Sequence, residues 1–228
     1  MMPYLVPTPT IDCENPEILA FARKHGQGPG GVPGTAVRLY YAVRDGLRYD
    51  PYTIDVNVDG LKASNTLASG RGWCVSKAIV LAACCRALGI PARLGYADVR
   101  NHLSTERMRQ LMKTDVFTWH GYTSIHIGGK WVKATPAFNV ELCRKFGLGT
   151  LEFNGREDSL YHPFDLSGNR HMEYLRDHGE FADTPVERIA EDFAKTYPDV
   201  DFKGGRPDFD QEVEAEILKF EVPGPAKS

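Results

Sequence analysis

The chain has 228 residues, 42% of them hydrophobic and 25% charged, a balance that excludes a disordered tail or a coiled coil. Its 27 basic and 30 acidic residues leave a formal net charge of −3, which argues against nucleic-acid binding by bulk positive charge. The longest strictly apolar run, Ala78 to Cys85, is far short of the roughly 20 residues that span a bilayer, so neither a nucleic acid nor a membrane is expected as a partner.

In chain order, no basic-then-apolar leader opens the sequence. Residues 1–34 read as an N-terminal extension that ends in a glycine- and proline-rich loop, Gly26 to Gly34. Thr35 to Leu47 follows, with Ala36, Val37, Leu39, Tyr40 and Val43 at helical spacing. Ile54, Val56 and Val58 alternate with polar residues, as in a short strand. Cys74 to Leu88 is apolar nearly all round, interrupted only by Ser76, Lys77 and Arg86, which predicts a buried helix. Gly89 stands where a left-handed C-terminal cap belongs and Pro91 prevents continuation. Arg93 to Val99 then reads as a strand.

Phe117 to Ile127 alternates, with Phe117, Trp119, Ile125 and Ile127 on one face and Thr118, His120, Tyr122, Ser124 and His126 on the other. Gly128-Gly129 predicts a two-residue hairpin turn into Lys130 to Ala134. If Ile127 pairs with Lys130, the register carries His120 opposite Ala137, with Thr135 and Asn139 as diagonal neighbours; Pro136 is a place where that pairing can distort. Residues 141–228 read as a C-terminal extension packed on the core. Within them Thr184 to Glu187 has capping-box spacing ahead of a one-faced helix through Val186, Ile189 and Phe193. Glu212 to Phe220 alternates briefly, and Val222 to Ser228 reads as a frayed end.

Chemistry is expected at Cys74. The five cysteines include no C-x-x-C pair, so neither a disulfide framework nor a structural zinc site fits, and a reducing cytoplasm is the expected compartment. Cys74 falls in the first turn of the buried helix, where unpaired N–H groups and the positive dipole end lower a thiol pKa. Cys84 and Cys85 sit mid-helix, outside that field. A nucleophilic thiol needs a base and something to orient the base. His120 is the expected base, with His126 as its rival roughly 20 Å along the same strand at ~3.3 Å per residue. Thr135 and Asn139 are the candidate orienting residues; the amide oxygen of Asn139 suits an imidazole N–H better than a hydroxyl does. His25, His102, His162, His171 and His178 read as structural or surface residues. Glu157, Asp158, His162 and Asp165 read as a solvated acidic loop, because their spacing matches no metal loop. Trp73, Trp119 and Trp131 read as packing residues.

Three runs in order then resemble the transglutaminase-like superfamily. Gly70 to Arg93 (GRGWCVSKAIVLAACCRALGIPAR) resembles its nucleophile helix. Trp119 to Pro136 (WHGYTSIHIGGKWVKATP) resembles its histidine strand, hairpin and W-V-x-x-D-P strand. Tyr40 to Asp50 (YYAVRDGLRYD) is similar to the segment that precedes the core. The resemblance covers roughly residues 35–140 and implies an α+β fold of the papain-like cysteine proteinase or transglutaminase-core type, with its central helix packed on an antiparallel sheet. It implies Cys74 as nucleophile and His120 as base, and places the family aspartate at Thr135, a departure that leaves the third role to Asn139, to Thr135, or to neither. The papain branch fits less well, because its cysteine-flanking pattern is absent and Ala68 stands where an oxyanion glutamine is expected. The implied function is thiol-dependent acyl transfer on a peptide or carboxamide substrate: a cysteine peptidase or amidase, or a transglutaminase using an amine acceptor. No cofactor and no metal is required. The alternative is a non-catalytic peptide-binding or scaffold domain of the same fold. Tyr49 and Asn65 are further candidates for the cleft.

Overall fold

A computed structural model describes residues 1–101, 105–161, 166–168, 172–200, 208–209 and 211–215. His102, His162, Asp165, His171 and the tail from 222 lie outside the described residues, as does the end of the Glu212–Phe220 run; residues 211–215 are helical.

Helix α1 (Pro16–Gly26) starts at Asn15, whose Oδ1 accepts the Glu17 N–H at 2.9 Å, a side-chain cap followed by proline at the first helical position. Helix α2 (Gly31–Gly46) begins inside the glycine- and proline-rich segment, so that segment is a loop only as far as Gly30. The reason is Arg38, whose guanidinium donates to the carbonyls of Gly26, Gly28 and Pro29 and folds the loop back onto the helix it precedes. Strands β1 (Arg48–Tyr49) and β2 (Arg71–Gly72) form a small parallel pair. Between them lie α3 (Val58–Leu61) and α4 (Ala63–Ser69). The alternation at Ile54, Val56 and Val58 is therefore not a strand. Asn57 Oδ1 takes the Gly60 N–H at 2.7 Å and caps a helical turn there instead.

Helix α5 (Cys74–Ala87) is buried on every side. It ends as expected: Gly89 has φ +73° and the Ile90 N–H returns to the Cys85 carbonyl. Strand β3 (Ala92–Asn101), helix α6 (Glu106–Met112), strands β4 (Val116–Ile127) and β5 (Lys130–Ala134), helix α7 (Val140–Lys145), strand β6 (Met172–Phe181) and helix α8 (Val186–Thr196) follow. The four long strands form an antiparallel sheet in the order β5-β4-β3-β6. Helix α5 lies across β3 and β4, and α1, α2 and α4 pack around its other sides. This is the central-helix-on-antiparallel-sheet arrangement expected of the α+β class. Strand β6 was not foreseen; it makes part of residues 141–228 the fourth strand of the main sheet rather than a layer laid upon it.

The β4–β5 register is the predicted one. Ile127 faces Lys130 and Thr123 faces Ala134, across a turn with φ +59° at Gly128 and +86° at Gly129. The pairing stops at Ala134: Thr135 N–H donates to Ser159 O at 2.9 Å, and the chain bends away before Pro136. His120 therefore has no partner in β5, and the expected pairing with Ala137 does not form; on its other edge it pairs with Ala97 of β3. At α8 the Thr184 hydroxyl bonds Thr10 and Tyr96 in place of the expected capping box.

Candidate active site

The sulfur side is assembled by the first turn of α5. Trp73 N–H donates to Ser76 Oγ at 3.1 Å, which closes the helix start on itself. One turn on, Lys77 is fully buried, and its Nζ donates to the carbonyls of Arg44 (2.9 Å), Leu47 (2.7 Å) and Ala137 (2.6 Å). That ammonium joins the end of α2, the approach to β1 and the segment after β5 to the base of the nucleophile helix. Three carbonyls match the three N–H groups of a protonated lysine, while burial pushes its pKa down to about 7.

Cys74 is 7% exposed. Burial pushes its thiol up to about 11, against the lowering effect of the N–H groups of Gly121, Val75 and Cys74 itself. The sequence-based expectation of a lowered thiol pKa is thus overturned. The helix-start N–H groups are present, but desolvation of a fully enclosed sulfur outweighs them. The contact with Gly121 also joins the two halves of the site. A Cβ at position 121 would lie 2.9 Å from Val75 Cα, so only glycine lets β4 approach the helix start this closely. His120 is the preceding residue on that strand.

The imidazole side rests on a bulge. Three residues of β4, Phe117 to Trp119, stand where β3 advances by only two before His120 meets Ala97. Trp119 takes φ +59°, a left-handed conformation that strains a bulky residue. The uninterrupted alternation expected from Phe117 to Ile127 is therefore broken at Trp119. Beyond the bulge Gly121 and Thr123 face α5, Thr123 Oγ1 donating to Ala78 O at 2.8 Å.

His120 and Thr135 share the wall of a small cavity with Phe138, Leu148 and Tyr161. Cys74 is not among the residues lining it. The Thr135 backbone is fixed on both sides, by Ser159 O and by the Tyr40 hydroxyl at 3.2 Å. Its Oγ1 is buried without a hydrogen-bond partner. Asn139 is placed differently: its Oδ1 accepts the Tyr49 N–H at 3.1 Å and ties β1 to the start of α7. The structure therefore brings Thr135 to the His120 cavity and gives the amide oxygen of Asn139 to the backbone beside β2.

Of the other candidates, His126 packs its ring on Trp131 near the hairpin end, and the exposed Asn65 donates to Asp59 O. Trp73 and Trp119 are buried, and Trp131 carries the Arg93 guanidinium 4.0 Å from its ring centre. Tyr49 has its hydroxyl enclosed. Burial, with the Cys74 sulfur and Asp50 nearby, raises its phenol well above the ordinary range. Burial likewise raises the phenols of Tyr96, Tyr174 and Tyr197, with Cys74 contributing in each case. These phenols around the sulfur are neutral O–H groups. Apart from Tyr49, sequence reasoning missed them, because three different strands and the end of α8 deliver them. Among the described residues, no three His, Cys, Asp or Glu side chains are grouped to hold a metal ion, and no helix is long and apolar enough to cross a membrane.

The sequence model of the transglutaminase-like superfamily matches residues 20–136, a span that runs from α1 through α5, β4 and β5 to Pro136. The chain belongs to the transglutaminase-like superfamily. No curated protein matches it. Similar solved structures include a proposed cysteine protease from Cytophaga hutchinsonii, at 20% identity and a TM-score of 0.46, covering 81% of this chain and 49% of that one. A proposed protease from Parabacteroides distasonis is similar at 18% identity and a TM-score of 0.38, covering 55% of this chain and 25% of that one. The chain thus spans about half the length of the first of these and a quarter of the second.

Proposed function

We propose that this protein catalyses acyl transfer through Cys74 and His120 on a peptide or protein carboxamide. The observation that carries the reading is the seam at Gly121, where the strand bearing His120 comes within 2.9 Å, measured from a Cβ built at position 121, of Val75 Cα beside Cys74 at the start of α5. With its pKa near 11, the thiol is protonated at neutral pH, so attack and proton removal are coupled. Cys74 Sγ bonds to the substrate carbonyl carbon as His120 accepts the thiol proton. The oxyanion that forms is met by the N–H groups now directed at the sulfur. When the C–N bond breaks, His120 returns the proton to the departing amine or ammonia, leaving a thioester on Cys74. Water then releases an acid, or a primary amine releases a new amide. We assign the orienting role to Thr135, because it lines the same cavity as His120 and its hydroxyl, without a partner in the resting structure, is free to accept an imidazole N–H where the family carries an aspartate. All five cysteines are free thiols, which suits a reducing compartment such as the cytoplasm.

Thr135 in the aspartate position also favours a second reading, a non-catalytic domain that binds peptides. One experiment separates the two. Wild type and Cys74→Ala are incubated with glutamine-containing peptides, with and without a fluorescent primary amine, and the products are resolved by mass spectrometry. Hydrolysis or amine incorporation in wild type, absent from Cys74→Ala, supports the enzyme. Identical inactivity, with iodoacetamide labelling all five cysteines equally slowly, supports the binding domain.

A further inference from the structure

The bulge that carries His120 is held by a cluster that the proposed reaction does not itself use. Asp98 is the β3 residue next to Ala97, the partner of His120. Its Oδ1 receives the Thr118 hydroxyl at 2.5 Å, the Trp119 N–H at 3.1 Å and His178 Nε2 at 2.6 Å. The His178 ring, 2% exposed, stacks on the Trp119 indole at 4.0 Å between centres and 13° between planes. From the other elements, Asp192 of α8 accepts the Trp119 indole N–H at 2.9 Å, and Arg188 lies 5.6 Å from that ring. Tyr197 takes the Thr118 N–H at 2.8 Å and donates to Val116 O at 3.0 Å. Every polar group of the Thr118–Trp119 step named here is thus held by a side chain outside β4.

This is more restraint than a structural bulge requires. A left-handed tryptophan is strained, and such strain persists only where its surroundings over-determine it. Relaxing Trp119 to extended geometry would remove the extra residue from β4. A one-residue slip turns each following side chain to the opposite face of a sheet. His120 would then turn away from the cavity it shares with Thr135, and Gly121 would leave the sulfur.

We propose that Asp98 and His178 are positioning residues that hold the Thr118–Trp119 bulge and thereby fix His120 against Cys74. The family carboxylate is missing beside His120, and here a carboxylate from the neighbouring strand acts on the backbone that carries the imidazole. The inference rests on the Cys74–His120 reading, and the test separates failure of the one from failure of the other.

The full chain is alkylated with iodoacetamide between pH 5 and 10, and each cysteine is followed by mass spectrometry. The limb of the Cys74 rate profile that His120→Ala removes is the measure of His120 function. Asp98→Ala is expected to slow Cys74 at least tenfold on that limb while leaving Cys13, Cys84, Cys85 and Cys143 unchanged. Asp98→Asn, which keeps an oxygen at the same place, is expected to restore most of the rate. A folded Asp98→Ala with the wild-type profile overturns the inference and leaves the Cys74–His120 reading standing. A wild-type profile that His120→Ala does not alter overturns both. Should Asp98→Ala fail to fold by circular dichroism, Thr118→Val and His178→Phe each remove one bond to Asp98. Slower Cys74 alkylation in either supports the proposal, and wild-type profiles in both overturn it.

Discussion

On the sulfur side of the site, Trp73, Cys74, Ser76 and Lys77 are neighbours in sequence, and the helix start closes through a contact three residues long. On the imidazole side, the groups that fix Thr118 and Trp119 come from Asp98, His178, Asp192 and Tyr197, with Asp98 and His178 themselves separated by 80 residues. The start of α5 closes through local helix geometry, with Lys77 as its tie to distant carbonyls. The backbone step that carries His120 is set by tertiary packing and is in place only when β3, β6 and α8 have docked. The sulfur side thus draws on fewer distant side chains than the imidazole side does.

The largest expected effect is at the base itself. His120→Ala lowers the rate of any Cys74-dependent turnover, or of Cys74 alkylation at neutral pH, by about 10²–10⁴, the range for a lost general base. Chevron or thermal melts of the same variant should move little, because the bulge is held through Trp119 and Thr118. A rate loss under tenfold would mean that the thiol loses its proton elsewhere, and the contrast between the two sides would lose its catalytic meaning.

Lys77 tests the sulfur side. Lys77→Met leaves the carbonyls of Arg44, Leu47 and Ala137 without their donor, and roughly 1 kcal/mol for each of the two N–H groups of the neutral amine gives a destabilisation of about 2 kcal/mol in urea unfolding at pH 8. The pH dependence has a definite sign. Burial holds the folded pKa near 7, against 10.5 for the free group. Below pH 7 both folded and unfolded lysines are charged, and wild type bears the full desolvation penalty. As pH rises from 7 towards 10.5 the unfolded state binds the extra proton, so wild-type stability increases. The gap between wild type and Lys77→Met therefore widens upward through pH 7 and narrows below it. A gap independent of pH would show that the three carbonyls hold the ammonium charged throughout.

The same contrast explains what could be read from the sequence. Helix α5, its glycine cap, and the register from Ile127–Lys130 to Thr123–Ala134 are visible because each is written in residues a few positions apart: an apolar run, Gly89, and Gly128-Gly129. Cys74 and His120 follow from those elements. The expectation failed wherever a distant group overrode a local pattern. Asp98 breaks the β4 alternation at Trp119, Ser159 takes the Thr135 N–H and ends β5 early, and Tyr49 takes the Asn139 oxygen. The strand read at Ile54 to Val58 failed for the opposite reason, since the Asn57 cap is a local signal that competes with alternation. The thiol pKa was misjudged because helix position is written in sequence and complete burial is not.

The smallest expected effect lies in acid and belongs to the imidazole side. Burial raises the Asp98 carboxyl, but the Thr118 hydroxyl, His178 and the Trp119 N–H together hold it below the ordinary carboxylate range. A carboxylate depressed in the folded state adds stability above its unfolded pKa of roughly 3.9, and that stability is lost as pH falls through the folded value. Wild type should therefore lose about 1 kcal/mol more than Asp98→Asn between pH 5 and the acid limit of folding, the order of one charged hydrogen bond. Asp45 is also depressed, through Arg44 and the Val140 N–H, but it is common to both proteins and cancels in the difference. Parallel acid curves for wild type and Asp98→Asn would place the restraint on the bulge in the stacking of His178 and Trp119 instead.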